Sequence, residues 1–175
     1  MSDAATLRGW ALAQRGREEE GVTQIQESLA TSRAMGVKLW QPYSHCLLAE
    51  AYMEMGRIDD GMAAITEALA TADEHENRHN RAEIHRLKGA LLLKQHDCNV
   101  AEARSCFERA IEIARKQSAK SWELRATTSL ARLLASQGHR EEARTMLANG
   151  YNWFTEGFGT TDLKEAKALL DDLSS

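Results

Sequence analysis

The residues whose type and spacing come closest to a known catalytic pattern are His75-Glu76-Asn77-Arg78-His79, an HExxH string, with His85 six residues further on. On one unbroken helix, two histidines a turn apart can hold zinc while the glutamate between them serves as general base. The surrounding sequence argues against a zinc hydrolase. In the repeat of this chain the string falls in register with Met35-Gly36-Val37-Lys38-Leu39, a link between helices. Ala82 stands where such enzymes carry a glycine before the third ligand, and the residues inside the string are the polar Asn77 and Arg78. The expectation is a solvated link, with no metal and no cofactor. Cys46, Cys98 and Cys106 form no CxxC pair and are odd in number, which predicts reduced thiols in a cytoplasmic protein. His45 and His85 occupy equivalent repeat positions and read as packing or rim residues, and no Ser/His/Asp set can be assembled.

The composition narrows the class. Of 175 residues 43% are hydrophobic and 27% charged, with a net charge of −4, the balance of one globular domain. No basic block supplies the footprint that nucleic acid requires. No apolar run approaches the roughly 20 residues that span a bilayer, and Met1-Ser2-Asp3-Ala4-Ala5-Thr6 shows no secretory signal. The one proline, Pro42, suits a mostly helical chain.

The elements that position these side chains repeat. Shifted by 40 residues, Gly16-Arg17 falls on Gly56-Arg57, Gly21 on Gly61, Ile25 on Ile65, and Glu27-Ser28-Leu29-Ala30-Thr31 on Glu67-Ala68-Leu69-Ala70-Thr71. A third unit continues through Gly89, Ala103, Phe107 and Ala110, and a fourth through Ala131, Gly138, Ala143 and Leu147. Apolar residues at three- and four-residue spacing, such as Ile65, Ala68, Leu69 and Ala72, make each unit a helical hairpin. Small residues at Gly9, Ala49, Gly89 and Ala131 predict close approach of the two helices. Gly16, Gly56 and Gly138 are placed to end helices in the left-handed conformation. The pattern predicts a single domain of helical hairpins at about 4–35, 42–75, 79–117 and 120–155. A last helix at about 162–173 caps the fourth hairpin through Leu163, Ala166, Leu170 and Leu173, with Asp162 and Glu165 as a capping pair.

The residues Ala49, Tyr52, Gly56, Gly61, Ile65 and Ala68, and again Gly89, Leu92, Ala103, Phe107 and Ala110, resemble the tetratricopeptide (TPR) repeat. The resemblance implies an all-α, right-handed superhelix, or α-solenoid. The 40-residue period exceeds that family's usual 34, and its terminal proline is missing, so the helices should be longer; HEAT repeats share this period. Leu47-Leu48-Ala49-Glu50-Ala51-Tyr52, Ala119 to Ala126, Trp153 to Phe158 and Asp162 to Leu170 also look like the C-terminal repeats of large bacterial signalling proteins. Those proteins join an adenylate/guanylate cyclase-type domain and an ATPase module to TPRs. That likeness implies a bacterial regulatory or scaffolding role, but no GxxxxGK[ST] phosphate loop is present.

In stacked hairpins the first helix of each pair lines the inner wall. The resemblance places Trp10, Tyr43, Glu50, Arg86, Lys94, Arg125 and Arg132 there, beside Gln14, Cys46, Met53, Glu54, Glu83, Ala90 and Thr128. Such a wall suits a protein or peptide partner; a small-ligand sensor coupled to an ATPase or cyclase is the alternative. The Lys/Asn set by which some TPRs clamp a C-terminal carboxylate is absent. The first hairpin, with Leu7, Trp10 or Leu12 uncovered, is a candidate surface for self-association.

Overall fold

A computed structural model of the chain describes residues 2–74 and 79–174. Among the described residues the chain forms nine α-helices and no strand: α1 Ser2–Ala13, α2 Glu18–Ala34, α3 Gln41–Glu54, α4 Ile58–Glu74, α5 Arg81–Leu92, α6 Val100–Lys116, α7 Lys120–Ser136, α8 Arg140–Tyr151 and α9 Thr161–Leu173. None is long and apolar enough to cross a membrane.

The helices pair in chain order, α1 on α2, α3 on α4, α5 on α6 and α7 on α8. A small residue from each helix marks every crossing. In the first hairpin both are glycine, and a Cβ added to Gly21 would strike the carbonyl oxygen of Gly9 and lie 2.8 Å from the amide nitrogen of Ala13. In the third, a Cβ on Gly89 would come within 2.6 Å of the Phe107 ring and 3.0 Å of the Ala103 carbonyl oxygen. Ala131 and Ala143 at the fourth crossing are wholly buried. One turn along the second helix, Ile25, Ile65, Phe107 and Leu147 fill the space between the pair, each at most 1% exposed.

Hairpin turns follow from the same repeat. Gly16, Gly56 and Gly138 have φ of 79°, 72° and 87°. The next amide in each case reaches back five residues: Arg17 to Leu12, Arg57 to Tyr52, His139 to Leu134. This closes the helix end and satisfies its last carbonyls. The third hairpin lacks the glycine. There α5 stops at Leu92 instead of continuing to about 95, Leu93 and Lys94 fold back onto Gly89 and Leu91, and Asn99 caps α6 by accepting from the Glu102 amide at 3.0 Å. Likewise α8 ends at Tyr151, not near 155, because Trp153, Phe154 and Phe158 turn the chain toward α9; the Tyr151 and Phe158 rings lie 5.9 Å apart.

Successive hairpins stack unevenly, and the unevenness makes a concave side. First helices pack on one another along the row (α1 on α3, α3 on α5, α5 on α7), whereas among the described residues the backbones of the second helices fan apart, α2 and α4 meeting through the Arg33–Glu67 ion pair at 3.3 Å. Helix α9 packs on both α7 and α8 through Leu163, Ala166 and Leu173. Asp162 and Glu165 do not form a capping box: no side chain caps the start of α9, and both carboxylates are drawn toward arginines of α7. The cysteines are free thiols, with Cys46 and Cys106 buried and Cys98 exposed.

Candidate binding groove

The inner wall of α1, α3, α5 and α7, closed at one end by the start of α9, encloses a groove of about 400 Å³. Trp10, Tyr43, Glu50, Arg86, Arg125 and Arg132 all line it. Lys94 does not. It lies past the end of α5, at the hairpin-turn edge beside Gly56, Ile58 and Asp59; the inner-wall spacing assumed one more helical turn than α5 possesses. Ala90, placed on the same wall by that spacing, is not among the groove-lining residues.

The charged groups form one connected network. Glu83, only 3% exposed, receives Arg86 in a forked pair at 2.7 and 2.9 Å. Glu50 accepts from Arg86 and Arg125, each at 3.1 Å, and from the Trp10 indole N–H at 3.0 Å. Arg125 also reaches Glu83 at 3.1 Å and Asp162 at 3.5 Å. Arg132 pairs with Glu165 at 2.9 Å. The forked arginine geometry holds both planar groups in one orientation.

Burial and neighbours push the carboxyls apart. For Glu83 burial acts upward, but the Arg86 ion pair and hydrogen bonds outweigh it and hold the carboxyl below its usual range. Glu50 is raised, first by burial and then by the Glu83 charge. Asp162 is also raised by burial, with Glu83 and Glu165 adding to it. The Tyr43 hydroxyl is raised by burial and by Glu50. The Cys46 thiol, fully enclosed beside Glu83 and Glu50, is held well above the usual thiol range. A thiol in that state is a poor nucleophile.

Sequence spacing placed Glu83 on the inner wall but could not show that it anchors Arg86. It missed Asp162 and Glu165 altogether as groove residues. Helix α9 lies outside the repeat, so the periodicity that placed the inner-wall residues gave its two acids no position. Trp10 belongs to this wall, not to an uncovered outer face; Leu7 on α1 is a large apolar residue left 48% exposed.

Neither His79 nor His85 lines the groove. His75 to Arg78 lie outside the described residues; His79 sits in a turn, and His85 is half-buried on α5. Among the described residues no three His, Cys, Asp or Glu side chains gather as a metal site would require.

Stacked helical hairpins presenting a lined groove on their first helices define a repeat protein of the α-solenoid class. The chain carries tetratricopeptide repeats: two family models described as tetratricopeptide repeat match residues 42–75 and 92–152. Solved TPR structures share the fold. Nearly identical TPR-like repeats assigned to a kinesin light chain of Podosopora anserina superpose with a TM-score of 0.69 at 17% identity, covering 98% of this chain and 84% of that one. A thermophilic TPR protein of Thermus thermophilus gives 0.65 at 14% identity, covering 99% and 81%. An uncharacterized protein of Rhizobium meliloti (strain 1021) is 28% identical over 125 residues, 71% of this chain, and the match spans only 12% of that relative.

Proposed function

We propose that this chain is a non-catalytic binding module that takes a protein segment along its concave groove and serves as a scaffold or regulatory unit in bacterial, cytoplasmic signalling. TPR repeats generally mediate protein–protein interaction, and the fold is typically non-catalytic. The observation that carries the reading is the groove itself: aromatic Trp10 and Tyr43 stand beside charged groups whose orientation is already held by one another. Such preorganisation lowers the ordering cost of association. The match to a small part of a much longer bacterial protein is in keeping with a module that works within a larger assembly; a cyclase–ATPase–TPR assembly is proposed from the sequence resemblance alone.

The internal network decides which residues can test this. Reversing Glu50 or Arg86 would break a buried ion pair and confound folding with binding. Arg132 is 51% exposed, and Trp10 is half-buried on the groove wall, a neutral donor to Glu50, so a circular dichroism melt checks that Trp10→Ala keeps its fold. Twelve-residue peptides are to be selected by display on the wild-type chain, then measured against Trp10→Ala and Arg132→Glu. Peptides whose affinity shifts about tenfold or more with either change support the groove; peptides indifferent to both would remove it as the site.

A second reading is a small-ligand sensor coupled to an ATPase or cyclase, since the groove volume lies within the range of small-molecule sites. A metabolite that raises the melting temperature of the wild type but not of Trp10→Ala would favour it over a peptide. Self-association is proposed through the edge exposing Leu7; a monomer mass by sedimentation at high protein concentration would remove it.

A further inference from the structure

Two charge pairs in the groove cancel, Glu83 with Arg86 at 2.7 Å and Glu165 with Arg132 at 2.9 Å. Arg125 is then left against three carboxylates, Glu50, Glu54 and Asp162. Its guanidinium lies 3.1 Å from Glu50, 3.1 Å from Glu83 and 3.5 Å from Asp162, so one cation is shared among several acids. Glu54 accepts from a neutral donor, the Gln14 amide at 3.1 Å. Among the described residues no lysine lines the groove. The same cavity offers the rings of Trp10 and Tyr43, whose π faces attract cations.

We infer that the groove recognises a lysine or arginine side chain of the bound segment through its surplus carboxylates, Glu54 and Asp162. The inference rests on the groove-binding reading above and names the chemistry of its occupant. An incoming cation supplies the charge that Arg125 alone cannot. Burial raises the Glu50 and Asp162 carboxyls first, and neighbouring carboxylates add to each. An acidic segment would instead meet excess negative charge at partly desolvated positions, where like-charge contact is strongly disfavoured.

The experiment uses the full chain and the selected twelve-residue peptides. Glu54 is exposed and Asp162 half-exposed, so the double variant Glu54→Gln/Asp162→Asn should keep its fold, checked by its circular dichroism melt. Recovered peptides enriched in lysine and arginine are expected. Each should bind the double variant about tenfold more weakly and weaken as NaCl rises, as screening requires. Peptides that depend on Trp10 and Arg132 yet are acidic or uncharged, or that bind the double variant unchanged, would overturn the cation inference and leave the groove reading standing. Spermidine bound more tightly than every peptide would overturn the commitment to a protein segment. Failure to recover any groove-dependent peptide would end both readings.

Discussion

His45 lies on α3 at 4% exposure, with its Nε2 atom 3.4 Å from the Arg33 guanidinium of α2 and its Nδ1 atom without a hydrogen-bond partner. Burial and then Arg33 lower its pKa to about 4, against a smaller opposing effect of Glu67 on α4. The ring is therefore neutral in the fold. As pH falls below the unfolded value near 6.5, the unfolded chain takes up a proton that the folded chain refuses until about 4. Stability is lost across that window, by about 3 kcal/mol from this site. His85 is lowered by burial and acts in the same direction; the raised carboxyls of Glu50 and Asp162 act in the opposite one. Urea midpoints measured from pH 7 to 4 should fall less steeply in His45→Gln than in the wild type, and parallel slopes would refute the assignment. His45 was legible in the sequence as a packing residue, but its missing partner was not, because that depends on what α2 and α4 bring across.

At the scale of the elements, the hairpin crossings and helix ends carry the specificity. Gly21→Ala forces a methyl group against backbone of α1 that cannot rotate away, and should destabilise by about 3 kcal/mol. Gly150, on α8, is a control: an added Cβ meets its nearest side-chain atoms at 3.7 and 3.9 Å. Gly150→Ala should therefore stabilise by up to about 1 kcal/mol through helix propensity. Equal effects of the two changes in thermal melts would show that crossing distance does not govern them. The link between α6 and α7 offers a further case. Ser118 has φ 53°, the conformation Gly36 adopts in the equivalent link, and both links close with a five-residue back-bond, Ala119 to Ala114 and Val37 to Ser32. Replacing Ser118 by glycine should raise stability by about 1 kcal/mol; a lower melting temperature would contradict it.

Across the whole molecule, burial divides into two apolar clusters, one centred on α1 to α4 and the other on α6 to α9, with α5 contributing to both. Met62 packs against each. The groove network spans the same divide, linking Trp10 on α1, Glu50 on α3, Glu83 and Arg86 on α5, Arg125 on α7 and Asp162 on α9. Repeat arrays unfold as one unit when neighbour contacts are strong. Cys46 reports the first cluster and Cys106 the second, while Cys98 is exposed throughout. Maleimide should label Cys98 at once, and Cys46 and Cys106 with the same dependence on urea. Labelling of Cys106 well before Cys46 would show that the halves open separately.

The hairpins were legible because each repeat carries its own instructions: a small residue at the crossing, a large apolar residue one turn on, and in three of four turns a glycine able to take positive φ. These are local properties, and periodicity exposes them. Most of the groove wall was legible for the same reason. Lys94 was misplaced because α5 stops early at the one turn without glycine. The pairing of the charges was decided only by tertiary structure. Which carboxylate an arginine meets depends on the packing of α9 against α7 and of first helices against each other, contacts between residues up to 75 apart in the chain, which no local pattern encodes.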